Sequence, residues 1–352
     1  MSLLDETLAS IAPVDSSAKA AARTRLEQLC MPFWALGRLL DLAEDLAAMT
    51  GSARPAVQRK TIVVMAADHG VVAEGVSAYP QEVTTQMVAN FVAGGASINA
   101  LARLVGAQVT VVDMGVAGDL SFLGATVLDR KVGPGTRNMA RGPAMSRDEA
   151  ISAVEAGIGV ARSLGASTDV FGTGEMGIGN TTASSAIVAA VSGATPEEVT
   201  GRGTGIDDEQ LRHKAEIVRQ ALEANRPDPA DGLDLLAKVG GFEIGGIAGL
   251  ILAAAAMRKP VLVDGFISTA GALVAQALSP LCAQYMIAAH RSVERGHRIA
   301  LEQLGKKPLL DMDLRLGEGT GAALAMNLVE AAVRVLTEVA TFEEASVSHS
   351  NV

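Results

Sequence analysis

Short, uninterrupted apolar runs that close on Asp or Gly recur along this chain, and they constrain its fold more than any other feature. Ile62-Val63-Val64-Met65-Ala66-Ala67 ends in Asp68-His69-Gly70. Gln108-Val109-Thr110-Val111-Val112 ends in Asp113-Met114-Gly115, and Val170-Phe171 runs into Gly172-Thr173-Gly174. Pro260-Val261-Leu262-Val263 ends in Asp264-Gly265, and residues 283–288 form a further candidate before Ala289-His290. A strand with one wet face alternates apolar and polar residues, whereas runs without alternation suit strands buried on both faces. Between these runs, residues 82–104, 147–164 and 180–192 read as helices. Strand and helix in alternation predict an α/β fold whose mostly parallel sheet carries helices on both faces. The Asp and Gly residues gather at the carboxyl ends of the strands, where open α/β sheets bind ligands.

The two ends of the chain read differently. Residues 18–29 place Leu26 and Leu29 on one helical face before Pro32, and residues 36–49 repeat apolar residues at helical spacing. Residues 309–316 lead into Gly317-Glu318-Gly319-Thr320-Gly321 and then a long, apolar-striped helix to about residue 340. The tail 346–352 is polar and is expected to fray.

Composition narrows the function. Hydrophobic residues at 49% and charged residues at 19% allow a sizeable core and argue against disorder. Aromatic residues are only 3%, too few for a stacking surface on single-stranded nucleic acid. The net charge of -10, without a dense Lys/Arg run, repels a phosphate backbone. Any phosphate must therefore be held locally, by backbone amides and a few cations. Cys30 and Cys282 lie far apart and form neither a disulfide framework nor a CxxC site, which fits a reducing compartment. The acids of Met1-Ser2-Leu3-Leu4-Asp5-Glu6 stand where a signal peptide carries bases. The apolar stretch 247–257 is about half of the ~20 residues a membrane span needs. A soluble, cytoplasmic protein with neither nucleic-acid nor membrane partners is expected.

Glycine-rich segments supply the candidate chemistry. Gly172-Thr173-Gly174-Glu175-Met176-Gly177-Ile178-Gly179-Asn180 contains GxGxxG between a strand and a helix. A dinucleotide fold would need a second strand ending in an acid about 20 residues on. The loop Ser192-Gly193-Ala194-Thr195-Pro196 follows instead. The segment suits a phosphate or ribose facing helix N-terminal amides, or else is a turn needed only for packing. Gly201-Arg202-Gly203-Thr204-Gly205 makes a second cradle, and Lys214 follows one to two turns into a helix, as a phosphate-directed charge or a solvated lysine. Walker A is absent. Glu318, between glycines ahead of a helix, either complements the helix dipole or, ionised by it, is ready to accept a proton near neutral pH. His69 reads as a pocket-shaping or hydrogen-bonding residue. His290 and His297, seven apart, could share a helix face, but no ligand spacing for a metal accompanies them.

Several segments together resemble one family over essentially the full length. They are Ala66-Ala67-Asp68-His69-Gly70-Val71, Gly94-Gly95-Ala96-Ser97-Ile98-Asn99, Val112-Asp113-Met114-Gly115, residues 172–182, Gly203-Thr204-Gly205 and residues 238–246. Leu262-Val263-Asp264-Gly265-Phe266, Ser292-Val293-Glu294 with Gly296-His297, and residues 311–321 complete the set. Their order is similar to that of nicotinate-nucleotide–dimethylbenzimidazole phosphoribosyltransferases, the CobT family. The resemblance implies a doubly wound, Rossmann-like large domain, residues 56–299, and a small helical domain from both chain ends, residues 1–55 plus about 300–352. It implies a homodimer that moves phosphoribose from nicotinate mononucleotide to a benzimidazole-type base with inversion, using no cofactor and no metal. Glu318 then corresponds to the general base, with Glu175 near the ribose or the reacting base. Gly174, Gly177, Gly203, Lys214, Asp264 and Ser292 would contact the phosphoribosyl part. Tyr79, Gln86, Met176 and Leu316 would line or close the base pocket. A nucleotide-binding protein without turnover on the same fold is the other class the residues allow.

Overall fold

A computed structural model describes residues 2–203 and 205–348. Strands β1 (Lys60–Ala67), β2 (Ala107–Gly115), β3 (Val127–Asp129), β4 (Val170–Met176), β5 (Val261–Val263) and β6 (Met286–Ala288) form one sheet. Its order is β3-β2-β1-β4-β5-β6 and every pairing is parallel. All eight residues of β1 are buried, which is why its apolar run does not alternate. The strand order reverses between β1 and β4, so the loops leaving these two strands diverge and open a crevice at their carboxyl ends.

Both faces of the sheet are covered. In β1, Ile62 and Met65 point to opposite sides, because successive strand residues alternate. Ile62 lies under the start of the helix Thr320–Glu338, whose Met326 and Ala322 press on Gly172 of β4. Met65 faces Gly246 of the helix Phe242–Ala256. That helix is buried from Phe242 to Ala255, apolar nearly all round, because the helix Arg147–Gly165 covers its outer side. The two helices touch through their backbones: a Cβ on Gly157 would stand 2.0 Å from the Gly246 carbonyl oxygen.

The chain ends meet each other. Leu29 bridges to Thr341, and the Arg25 guanidinium donates to the carbonyls of Leu336 and Val339 at 2.8 and 3.1 Å. It thereby satisfies acceptors left open at the end of the helix Thr320–Glu338.

Several sequence expectations need correction. The helix expected over residues 82–104 is two helices, Glu82–Ala93 and Ser97–Val105. Gly94 ends the first in a left-handed conformation, and the Asn99 side chain binds both the Ala96 N–H and the Phe91 carbonyl across the break. Of residues 283–288 only Met286–Ala288 is strand, since Pro280–Tyr285 turns as a short 3₁₀ helix. A separate parallel pair, β7 (His290–Ser292) and β8 (Leu310–Leu314), was not anticipated as strands, nor was β3. Residues 349–352 of the polar tail, and Thr204 of the second glycine segment, lie outside the described residues. By length and composition alone, Glu82–Val105 and Thr320–Glu338 could cross a bilayer. The first is broken at Gly94, and the second packs against the sheet.

The helix contact at Gly157 is testable. Overpacking costs about 1–3 kcal/mol, against the ~1 kcal/mol by which Ala is favoured over Gly in a helix. Gly157→Ala is therefore expected to lower the urea unfolding midpoint. Gly159→Ala in the same helix, where an added Cβ meets nothing within 4 Å, should leave the midpoint unchanged or raise it. Equal midpoints for the two variants would show that the helix contact is not tight.

Candidate active site

A cavity of about 580 Å³ opens at the carboxyl ends of β4 and β5. Glu175, Met176 and Gly177 enter it from β4, Gly265 and Phe266 from β5, and His290 and Ser292 from β7. The segment from Asp313 to Glu318 crosses its top, and Gly203 and Lys214 close one end. Its size falls in the range that holds a nucleotide-sized ligand.

The Lys214 end is cationic and rich in donors. Lys214 is only 2% exposed and donates to Thr181 Oγ1 at 2.7 Å. Burial pushes its ammonium down to about 8, against the pull of the Glu294 carboxylate. Glu294 Oε1 accepts the Gly203 N–H at 3.0 Å, and the Glu294 N–H donates to Ser292 Oγ at 3.3 Å. Behind Ser292, His297 Nδ1 accepts the Ser292 N–H at 2.8 Å, which leaves Nε2 to donate to Thr269 Oγ1 at 3.0 Å. Burial, followed by His290, pushes the His297 imidazole down to about 3, so it stays neutral. A phosphate between Lys214 and the start of the helix Asn180–Ser192 would meet one full charge and the positive end of that helix.

The opposite end is crowded with carboxylates. Glu318 sits in a left-handed conformation, φ 62°, between Gly317 and Gly319 at 81° and 89°. Such backbone costs a residue with a side chain of order 1–2 kcal/mol, so the surroundings must impose it. Asp264 does so: its Oδ2 accepts the Gly319 N–H at 3.2 Å and its Oδ1 the Ala322 N–H at 2.8 Å. Gly174 matters here too, since a Cβ on it would lie 2.6 Å from the Glu318 carbonyl oxygen. The Glu318 Oε2 atom is buried without a hydrogen-bond partner. Burial raises the Glu318 carboxyl above its usual range, the Ile98 N–H opposes this and Asp264 adds to it. Burial thus outweighs the helix end whose N–H touches the carboxylate, that of Ser97–Val105.

Glu175 accepts hydrogen bonds from the Glu318 N–H and from the Asn180 side-chain amide. Burial, followed by the negative charges of Asp264 and Glu243, pushes it up to about 8. Burial also raises Asp264, against His290 and the N–H groups of Ala322, Gly319 and Gly321. Below the cavity His69 and Glu243 form a fully buried pair at 2.6 Å, beside Gly177 and Gly179. Burial alone would lower the His69 imidazole, but Glu243 raises it above its ordinary value.

Of the residues singled out from sequence, Glu318, Glu175, Gly177, Gly203, Lys214, Ser292, Met176, Leu316 and Tyr79 all line this cavity, with Tyr79 half exposed. Gly174 and Asp264 lie behind it, packed against the Glu318 loop. Gln86 lines an adjoining cleft of about 440 Å³ with Asp68 and Glu82. His290 and His297 do not share a helix: His290 is in β7, His297 is in the helix Arg295–Leu304, and their rings are 6.0 Å apart. Among the described residues no group of three His, Cys, Asp or Glu is placed to hold a metal ion. Sequence reasoning assigned no role to Thr181, Asn180 or Glu294, although each stands inside a segment it singled out. Ile98 also stands inside such a segment but carried no role there, because its N–H becomes free only through the helix break at Gly94.

A doubly wound sheet with an anion corner facing a carboxylate cluster accords with a family profile described as a phosphoribosyltransferase, which matches residues 11–347. The chain is an enzyme of that class. It is 63% identical over 350 residues to the nicotinate-nucleotide–dimethylbenzimidazole phosphoribosyltransferase of Syntrophotalea carbinolica, covering 99% of both chains. It is 57% identical to the enzyme of the same name from Geotalea uraniireducens, again over 99% of both. The crystal structure of CobT from Thermus thermophilus matches with a TM-score of 0.91 at 50% identity, covering 95% of this chain and 100% of that one. The chain belongs to the nicotinate-nucleotide–dimethylbenzimidazole phosphoribosyltransferase family.

At about 8, Glu175 is neutral in most molecules at pH 7, so glutamine copies its prevailing form. Glu175→Gln is expected to keep its phosphoribosyl-transfer rate within about tenfold of wild type, a loss below about 1.4 kcal/mol. Glu175→Ala should lose more, because the Glu318 N–H and the Asn180 amide are left unpaired. Steady-state rates at pH 7 decide this, and a glutamine variant as damaged as the alanine one would mean that the ionised form works.

Proposed function

We propose that this chain transfers the phosphoribosyl group of nicotinate mononucleotide to 5,6-dimethylbenzimidazole or a related base. The products are α-ribazole 5′-phosphate and nicotinate, for the lower ligand of cobalamin. One observation carries the reading: the buried carboxylate of Glu318, with its Oε2 unpartnered, shares a single cavity with the buried ammonium of Lys214.

The phosphate is held by Lys214, Ser292 and the backbone at Gly177, while Gly203, whose N–H is taken by Glu294, shapes the same end. The incoming base lies against Met176 and Leu316, with Tyr79 at the mouth. Gln86 would reach this base only from the adjoining cleft. Glu318 takes the proton from one benzimidazole nitrogen while the lone pair of the other forms the bond to C1′. The bond from C1′ to the nicotinate nitrogen breaks, and its electron pair stays with the leaving ring, which becomes a neutral pyridine carrying its carboxylate. Attack and departure on opposite sides invert C1′. Base assistance avoids a full positive charge on the azole, and burial, by raising Glu318, makes it a stronger base. Nicotinate leaves without new charge on its nitrogen, so no metal is needed to shield a leaving group. Much of the acceleration then comes from positioning. Asp264 acts through the Glu318 loop instead of by touching the phosphoribosyl group.

The same reading takes the chain as a cytoplasmic homodimer, with a small helical domain from both ends. The Leu29–Thr341 bridge and the Arg25 contacts support that domain.

Glu318→Gln is expected to bind both substrates and to lose about 10²–10⁴-fold in kcat, measured as nicotinate release with dimethylbenzimidazole. A wild-type protein that binds the nucleotide but turns over neither benzimidazoles nor purines would instead be a nucleotide-binding protein. For Lys214, the lowered value means that the charged form prevails below about pH 8 and is lost above it. The KM for the nucleotide should therefore be lowest below pH 8 and rise above it. In Lys214→Gln the KM should be raised about 10- to 100-fold, as for a lost charged hydrogen bond, and this rise with pH should vanish.

A further inference from the structure

His290 is the buried polar side chain of the cavity that the mechanism leaves unused. It is 2% exposed and faces the cavity, yet neither Nδ1 nor Nε2 has a hydrogen-bond partner. The other buried polar groups there are engaged: Lys214 with Thr181, Glu175 with Asn180, and Glu294 with Gly203. The Oε2 atoms of Glu318 and Glu294 are also open, but both are acceptors, and that of Glu318 awaits a proton. A buried imidazole with both nitrogens open is costly unless a ligand completes it.

The surroundings select the ligand. Asp264 Oδ1 lies 3.7 Å from His290 Nε2, so a carboxylate stands beside the ring and can orient it. The ring can then offer an N–H donor to the cavity, which suits an anion. The cavity spans the ends of β4 and β5, with Met176 on the first side and Gly265, Phe266, Ile267 and His290 on the second. In an in-line displacement the two bases lie on opposite sides of C1′. With the incoming base on Met176, the leaving ring lies on the β5 side, where Phe266 and Ile267 provide an apolar wall. Among the described residues, Lys214 and Arg315 are the other basic side chains lining the cavity: Lys214 is committed to the phosphate end, and Arg315 is exposed at the rim. Arg291, next in β7, points outward to Asp311 at 2.6 Å.

We infer that His290 binds the carboxylate of the leaving nicotinate and so determines the preference for a carboxylate-bearing pyridine nucleotide over its amide. This rests on the transferase reading above. The test compares kcat/KM for nicotinate and nicotinamide mononucleotides in the wild type, His290→Asn and His290→Phe. Expected is a loss of about 10- to 100-fold on the nicotinate nucleotide, as for a lost charged hydrogen bond. A much smaller loss is expected on the nicotinamide nucleotide, whose turnover also reports that the variants fold. A parallel fall on both nucleotides would make His290 a support for the Glu318 loop and overturn the inference. So would an unchanged preference, or a preference lost in Arg315→Gln instead. Calorimetric binding of free nicotinate separates the two readings. If the wild type turns over neither nucleotide but binds nicotinate at least about tenfold more tightly than His290→Asn does, the transferase reading alone falls. Equal binding by the two proteins overturns the role of His290.

Discussion

A buried carboxylate at the end of β5 holds the reactive end of the molecule in place. Asp264 accepts the N–H groups of Gly319 and Ala322, which are the open donors at the start of the helix Thr320–Glu338. That bond set joins the sheet to the C-terminal helix and fixes the turn on which Glu318 stands. From there the constraints spread outward. The backbone N–H of Glu318 reaches Glu175, and its carboxylate meets the N–H of Ile98 at the head of another helix. Charged hydrogen bonds to backbone donors are among the stronger polar contacts a protein makes. Here they position an acid that the local backbone would otherwise release.

The parallel sheet was legible because burial on both faces removes the alternation that a half-wet strand must keep. β1 shows this most clearly, since its run from Ile62 to Ala67 is wholly buried. The glycine-rich segments were legible as places where backbone approaches a ligand or a neighbour. The break between Glu82–Ala93 and Ser97–Val105 was not, because Ile98, Ala102 and Val105 continue an apolar stripe across it. What breaks the helix is a left-handed Gly94 and the side chain of Asn99, neither of which disturbs the pattern of hydrophobicity. β7 was hidden for another reason. His-Arg-Ser carries no strand propensity, and it is extended because Leu310–Leu314 pairs with it. The spacing of His290 and His297 therefore allowed a shared helix face that the fold does not form.

The electrostatics of the site could not be read from residue types. Glu175, Asp264 and Glu318 are raised first by burial, and the charge of Asp264 raises the other two further, so three acids in one region do not behave as three charges. Lys214 responds to burial in the opposite sense. Water would have screened both effects; the packing of helices on the sheet removes the water. Sequence locates these groups, but only the fold sets how easily each exchanges a proton.

Glu318 occupies a backbone conformation that glycine would adopt with less strain. Under the proposed reaction, selection for a more durable fold and selection for turnover pull this position in opposite directions. A lineage moving to a hotter environment could then not relax this turn by surrendering the side chain, and its adaptation would fall elsewhere, on helix surfaces and chain ends. The Gly-Glu-Gly turn would in this sense be a record of function kept against the preference of folding.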